Sequence, residues 1–133
     1  MNDCIFCKIL KGELPSKVIY EDEILSVFMN IDPNTNGHLL MVPKNHEVTF
    51  DDVSEEFITH SLSVIRDVIY PLVKEKLGAE GLTISQNNYL GQEVKHFHIH
   101  LIPRYSDDGV LYTYNKRVIR PVDETYETLT KKD

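Results

Sequence analysis

The sequence predicts an α+β domain with a mainly antiparallel sheet of about five strands and one long helix. Three observations carry that expectation. Short apolar, β-branched runs occur on both sides of residues 54–77. Within 54–77 alone the apolar spacing changes to three and four. Segments dense in turn residues separate the runs.

"VIYEDEIL" (18–25) and "LSVFMNI" (25–31) read as a hairpin of two strands, and "DPNTNG" (32–37) as a loop. "HLLMVPK" (38–44) is a buried strand stopped by Pro43. Phe57, Ile58, Leu62, Val64, Ile65, Val68, Ile69, Leu72, Val73 and Leu77 recur at helical spacing. Ser54 with its neighbouring acids starts that helix, Gly78 stops it, and Pro71 should kink or divide it. "GLTIS" (81–85) is a strand, "QNNYLGQEV" (86–94) a loop and "HFHIHLIP" (96–103) a strand ended by Pro103. The tail after Arg104 shows no clear periodicity; within it "NKRVIR" (115–120) reads as a solvated strand, or else as a basic edge near a substrate.

At 133 residues the chain is expected to form one domain, residues 1–133, with a real core. Its net charge of −7 argues against nonspecific nucleic-acid binding, yet permits a small phosphorylated ligand in a locally suitable site. No window approaches the roughly 18 apolar residues of a membrane span, and the start lacks a secretory apolar stretch. Two cysteines at C-x-x-C spacing do not make a secreted disulfide framework. The expectation is a soluble, cytoplasmic protein.

Half of the six histidines alternate within "HFHIH". Side chains two apart on a strand share a face, with Cα atoms about 6.5 Å apart. His96, His98 and His100 therefore face one way, and Phe97, Ile99 and Leu101 the other, toward the helix. Three readings stand at this point: a metal site, a histidine nucleophile with acid and binding neighbours, or a half-exposed polar strand face. Cys4 and Cys7 have zinc-ligand spacing and lack the preceding core strand of a redox motif; unpaired thiols are the bland alternative. His38 and His46 flank strand 38–44, and His60 falls at a solvated or half-buried helix position.

"CIFCKILKGELPSKVIYED", "FMNIDPNTNGHLLMVPKNH" and "GQEVKHFHIHLIPR" together resemble the histidine triad (HIT) superfamily, closest to small bacterial hydrolases of its Hint branch. The similarity runs from Cys4 to about Arg104. It implies a HIT-like fold with a short N-terminal helix added to the elements above, and a homodimer. It also implies an enzyme that cleaves at the α-phosphate of a purine nucleotide, an AMP- or GMP-type phosphoramidate or a dinucleoside polyphosphate. His98 would be the nucleophile forming a nucleotidyl-histidine; His100 and His38 would contact the phosphate; Gln92 would touch the phosphate or bridging oxygen. Asn30 would bind the ribose and Ile31 lie against the base. Asn87 would be the loop asparagine, with Asn88 and Ser85 as alternatives. Cys4, Cys7, His46 and His96 would complete a structural zinc site, with no metal in the chemical step. "QNNYLGQ" is shorter than the family's usual segment, and Glu93 stands where many relatives carry a small hydroxyl residue; no binding role is expected of it. The competing expectations are a zinc-dependent hydrolase using all three alternating histidines as ligands, and a nucleotide-binding module with little turnover.

Overall fold

In the computed structural model, which describes residues 3–131, five antiparallel strands form one sheet in the order β1-β2-β3-β5-β4. They are β1 (Val18–Glu21), β2 (Leu25–Met29), β3 (Leu39–Pro43), β4 (Gly81–Ser85) and β5 (Ile99–Arg104). Helix α1 (Ile5–Leu10) precedes them. Between β3 and β4 run α2 (Glu55–Val64), a π turn (Ile65–Ile69) and α3 (Tyr70–Leu77) without a break. The α+β sheet and long helix agree with the expectation.

The helix begins where the Ser54 hydroxyl accepts the Phe57 N–H at 3.1 Å, and stops at Gly78, whose φ of 69° lies in the left-handed region. Pro71 does not divide it. Instead the turn before Pro71 widens, so that the Tyr70 N–H donates to the Ile65 carbonyl five residues back. That wider turn gives the proline ring room and absorbs its missing N–H.

One face of the sheet packs Leu25, Val27, Met41, Ile99 and Leu101 against Phe57, Ile65, Ile69 and Val73 of the long helix. Each fully buried side chain of this size stabilises the fold by roughly 1.5–3 kcal/mol. The opposite face packs Phe28, Leu40 and Val42 against Phe6 of α1. This second layer is thin, so the polar ends of β3 and β5 stay open beside α1.

His60 is tied down rather than merely solvated. Its Nε2 lies 2.6 Å from Asp22 Oδ2, joining α2 to the β1–β2 turn. The other Asp22 oxygen accepts the Ile24 and Leu25 N–H groups, at 2.8 and 3.0 Å. Burial pushes the Asp22 pKa up, but these bonds outweigh it and hold the carboxyl well below the usual range.

Two elements differ from expectation. The last strand begins at Ile99, not His96, because the Phe97 N–H donates to the Glu47 carbonyl at 2.5 Å instead of entering the ladder with β3. The tail holds a single 3₁₀ turn (Lys116–Val118) and a fourth helix, α4 (Val122–Thr130), both exposed, so "NKRVIR" is not a strand.

Candidate functional site: an imidazole row beside a Cys/His cluster

The loop between β2 and β3 is closed by its own ends. The Asn30 N–H donates to the His38 carbonyl at 3.0 Å, and the His38 N–H to the Thr35 carbonyl at 3.2 Å. The buried Thr35 hydroxyl donates to the Pro103 carbonyl at 2.7 Å, fastening the loop to β5. Gly37, at φ 90°, supplies the left-handed step before His38. An open groove of about 670 Å³ results, with α1 on one side and the β2–β3 and 86–94 loops on the others. His38, His98 and His100 form its polar floor, and Ile5, Phe6 and Leu40 an apolar wall.

Hydrogen-bond partners set the tautomers along that floor. His38 Nδ1 accepts the Asn34 backbone N–H at 3.0 Å, so the proton of the neutral ring sits on Nε2. That Nε2–H donates to His100 Nδ1 at 3.0 Å, which leaves the His100 proton on its own Nε2. The Asn30 side-chain amide approaches His38 Nε2 at 3.4 Å, but its oxygen already accepts the Asp32 N–H. Two donors therefore face each other there, and the Asn30 NH₂ remains available to a ligand. His98 Nδ1 donates to the His96 carbonyl at 2.7 Å, leaving the lone pair of Nε2 free. Its ring stacks edge-on to Phe6 and His100 at 5.1 Å from each.

All three groove imidazoles are held neutral. Burial lowers each pKa; the repulsion a proton on His98 or His38 would exert lowers that of His100 further, to about 4. Burial takes His96 to about 4 as well. The ordinary histidine value is about 6.5. Between these values the unfolded chain binds protons that the folded chain resists, so the stability present above about pH 6.5 is lost as pH falls toward 4. The urea midpoint of metal-free protein is expected to drop over that interval, and to drop less in His100→Asn. A flat midpoint would contradict the buried neutral row.

A second cluster adjoins the groove. Cys4 caps α1, its Sγ accepting the Cys7 N–H at 3.3 Å, so a single helical turn presents both sulfurs. His46 Nδ1 lies 3.1 Å from Cys7 Sγ; His96 Nδ1 lies 3.4 and 3.5 Å from Cys4 and Cys7 Sγ. All four donor atoms fall within 4.8 Å of one another. His96 Nε2 donates to the Pro43 carbonyl at 2.9 Å, which aims the Nδ1 lone pair at the sulfurs. Burial, then the hydrogen bond and charge of Cys4, push the Cys7 thiol up to about 11. Two soft sulfurs and two imidazole nitrogens at this spacing suit a tetrahedral zinc ion. The alternating histidines therefore do not converge on one metal: His96 turns to the cysteines, while His98 and His100 line the groove.

Other expected residues separate just as clearly. Asn30, Ile31 and Asn87 line the groove, with Ile31 98% exposed at its mouth. Asn88 is engaged elsewhere, pairing with Gln86 and accepting the Phe50 N–H at 2.9 Å. Gln92 does not face the groove. Its amide donates to the Val48 carbonyl at 2.7 Å and accepts the Tyr89 N–H at 3.2 Å, which supports Tyr89 at a φ of 66°. Glu93, given no role from sequence, does line the groove, and its charge pulls the His98 pKa upward against burial. Phe6 and the Asn34 backbone also went unforeseen, although the apolar "IF" inside C-x-x-C was a signal for the former.

A HIT-domain family profile matches residues 11–107. An uncharacterised HIT-like protein of Methanocaldococcus jannaschii is 39% identical over 95% of this chain and 98% of its own length. An adenosine 5'-monophosphoramidase of Saccharomyces cerevisiae is 35% identical over 81% of this chain and 66% of its own. Among solved structures, a zinc-bound histidine triad family protein from Mycobacterium smegmatis superposes with a TM-score of 0.76 at 32% identity. That alignment covers 86% of this chain and 84% of the other. With the histidine row and the Cys/His cluster on one matching fold, the chain belongs to the HIT, or histidine triad, family.

Proposed function

We propose that this protein is a nucleotide hydrolase that cleaves at the α-phosphate through a covalent nucleotidyl-His98 intermediate. The substrate is a purine nucleoside 5'-phosphoramidate or a dinucleoside polyphosphate. One observation carries the reading: the Nδ1–H of His98 is committed to the His96 carbonyl, so Nε2 meets the groove as a free lone pair. The activity of the yeast phosphoramidase relative supports the same chemistry.

Asn30 hydrogen-bonds the ribose hydroxyls through its free NH₂, and Ile31 lies against the base. Asn87 and the Nε2–H of His100 contact the phosphate oxygens, while His38 holds the His100 tautomer. The bond from His98 Nε2 to phosphorus forms as the bond to the leaving group breaks. With a phosphoramidate the electron pair of that bond stays on nitrogen, which takes a proton from solvent as the bond breaks and leaves as the amine. Water then attacks the nucleotidyl-histidine and frees His98. In the net reaction the water oxygen ends on phosphorus and both its hydrogens on nitrogen, so a phosphoramidate monoanion becomes the AMP dianion and an ammonium ion. Gln92 clamps the 86–94 loop onto Val48 in this scheme.

Cys4, Cys7, His46 and His96 would hold structural zinc, which supplies a crosslink between α1, the segment after β3 and the start of the histidine row. Four protein ligands leave no open position for a metal-bound water. The zinc-bound family member supports this assignment. We also assign the chain to a single domain acting in the cytoplasm as a homodimer. The exposed apolar side chains of Leu62 on α2 and Ile84 on edge strand β4, with Phe50 from the segment before α2, support the homodimer.

Incubation with an adenosine phosphoramidate tests the proposal. Catalytic release of AMP is expected without added metal. AMP bound in equilibrium dialysis but never produced from the phosphoramidate would favour a binding module instead.

A further inference from the structure

Among the described residues Tyr89 is the one side chain other than glycine with a positive φ, 66°. A bulky residue in that region is strained, and two asparagines that tolerate it better stand immediately before it. The left-handed step is therefore imposed by bonds and not by local preference. The Tyr89 N–H donates to Gln92 Oε1 at 3.2 Å, and the Tyr89 carbonyl accepts the Gln92 N–H at 3.1 Å. The Tyr89 hydroxyl reaches out of the loop and donates to Asp51 Oδ2. Asp51 is itself fixed, its N–H donating to the Thr49 hydroxyl at 3.1 Å.

Three bonds among the described residues thus tie the 86–94 loop to residues 48–51. The Gln92 amide donates to the Val48 carbonyl, the Phe50 N–H to Asn88, and the Tyr89 hydroxyl to Asp51. The same segment supports the histidine row. Its neighbour Glu47 accepts the Phe97 N–H, and the Phe50 ring lies edge-on to Phe97 at 5.3 Å. Loop and row therefore share one anchor. Gln86 and Asn88 bond each other, whereas Asn87 enters no side-chain hydrogen bond among the described residues and lines the groove. Its Oδ1 lies over Gly91, 3.4 Å from where a Cβ would stand.

We propose that Tyr89, through its hydroxyl bond to Asp51, is a positioning residue that holds the Asn87 amide toward the phosphate of a bound nucleotide. Tyr89 itself does not line the groove, so it acts through Asn87. The inference rests on the nucleotide-binding reading given above and adds a residue to it. A hydrogen bond to a carboxylate and the cost of a bulky left-handed residue are similar in size. Loss of the hydroxyl therefore lets Tyr89 leave that conformation and carry Asn87 with it.

Tyr89→Phe removes the donor and keeps the ring. Equilibrium dialysis should find AMP bound about fivefold more weakly than by the wild type. With an adenosine phosphoramidate the loss should appear in KM, with kcat within about twofold. Asp51→Asn keeps an oxygen to accept the hydroxyl and should bind AMP within about twofold of wild type, while Asp51→Ala should match Tyr89→Phe. In Asn87→Ala protein, adding Tyr89→Phe should weaken AMP binding no further. Hydrogen exchange at the Tyr89 and Gln92 amides should quicken in Tyr89→Phe, with the Phe97 amide unchanged. A general loss of structure would instead weaken binding in both backgrounds and speed all three amides. Wild-type AMP affinity in Tyr89→Phe, or the full loss repeated in Asn87→Ala protein, would overturn the inference and leave nucleotidyl transfer standing. The expected pattern of AMP affinities without AMP release from the phosphoramidate would support the inference and sink nucleotidyl transfer. Absence of AMP binding by the wild type would sink both.

Discussion

Replacing His98 by alanine is expected to lower AMP release from an adenosine phosphoramidate by at least about a thousandfold, because no other group can take its place. Among the described residues that line the groove, Ser16 is the one serine, and no cysteine or lysine stands beside it. His100 Nδ1 is occupied by the His38 Nε2–H, and its remaining nitrogen carries a proton. Neither nitrogen has a free lone pair. His38 is closed off in the same way, accepting the Asn34 N–H on one side and donating to His100 on the other. His98 alone combines a fixed proton on Nδ1 with an open Nε2. The loss should appear in kcat, since removal of a nucleophile does not erase binding through Asn30 or Ile31. Equilibrium dialysis should accordingly find AMP affinity in His98→Ala close to that of the wild type. His100→Ala and His38→Ala are expected to cost less, about a hundredfold, because they remove a phosphate donor and its support rather than the attacking atom. Undiminished turnover in His98→Ala would refute the mechanism.

Removing the metal-binding donors should produce the largest effect on stability. Cys7→Ala is expected to abolish zinc retention, measured by elemental analysis as about one ion per chain falling to none. An ion present at roughly a thousandfold over its dissociation constant stabilises the folded state by about 4 kcal/mol. In a chain of 133 residues that corresponds to a fall of about 10–20 °C in melting temperature. Chelation of the wild-type protein should give a similar fall, reversed by adding zinc. The chemical step should persist in the chelated protein below its lowered melting temperature, with some loss, because the His96 backbone that orients His98 belongs to the same residue as a ligand ring. A melting temperature insensitive to chelation, in protein shown to contain zinc, would contradict the crosslinking role.

Much of this architecture was legible because it depends on periodicity. Leu25 to Met29, Leu39 to Pro43 and Gly81 to Ser85 are short runs between turn-forming residues, and each became a strand. The Ser54 cap and Gly78 stop act within one helical turn, so local chemistry decides them. Other features depend on groups remote in sequence. Nothing in "KHFH" reveals that Phe97 will bond to Glu47 and delay the strand to Ile99. Nothing around Pro71 distinguishes a kink from a π turn, which depends on the Ile65 carbonyl finding the Tyr70 N–H. In the tail, Val118, Val122, Tyr126 and Leu129 recur at spacings of four, four and three, a helical period that α4 follows, although all four stay exposed.

The site divides along the same line. Residue types and spacing pointed to the histidines and cysteines, but their distinct states come from backbone partners. The Pro43 carbonyl aims His96, the His96 carbonyl aims His98, and the Asn34 N–H sets His38. Gln92 and Glu93 exchanged their expected places for a comparable reason. The Val48 carbonyl captures the Gln92 amide, which leaves its exposed neighbour to border the groove.

The most direct test of the central claim is rapid acid-free denaturing quench of the protein during turnover of an adenosine phosphoramidate, followed by peptide mass spectrometry. One AMP moiety is expected on the peptide containing His98, with fragmentation placing it on that imidazole, and none in His98→Ala. Rapid turnover with no adduct at any quench time, or an adduct placed on a different residue, would contradict nucleotidyl transfer through His98.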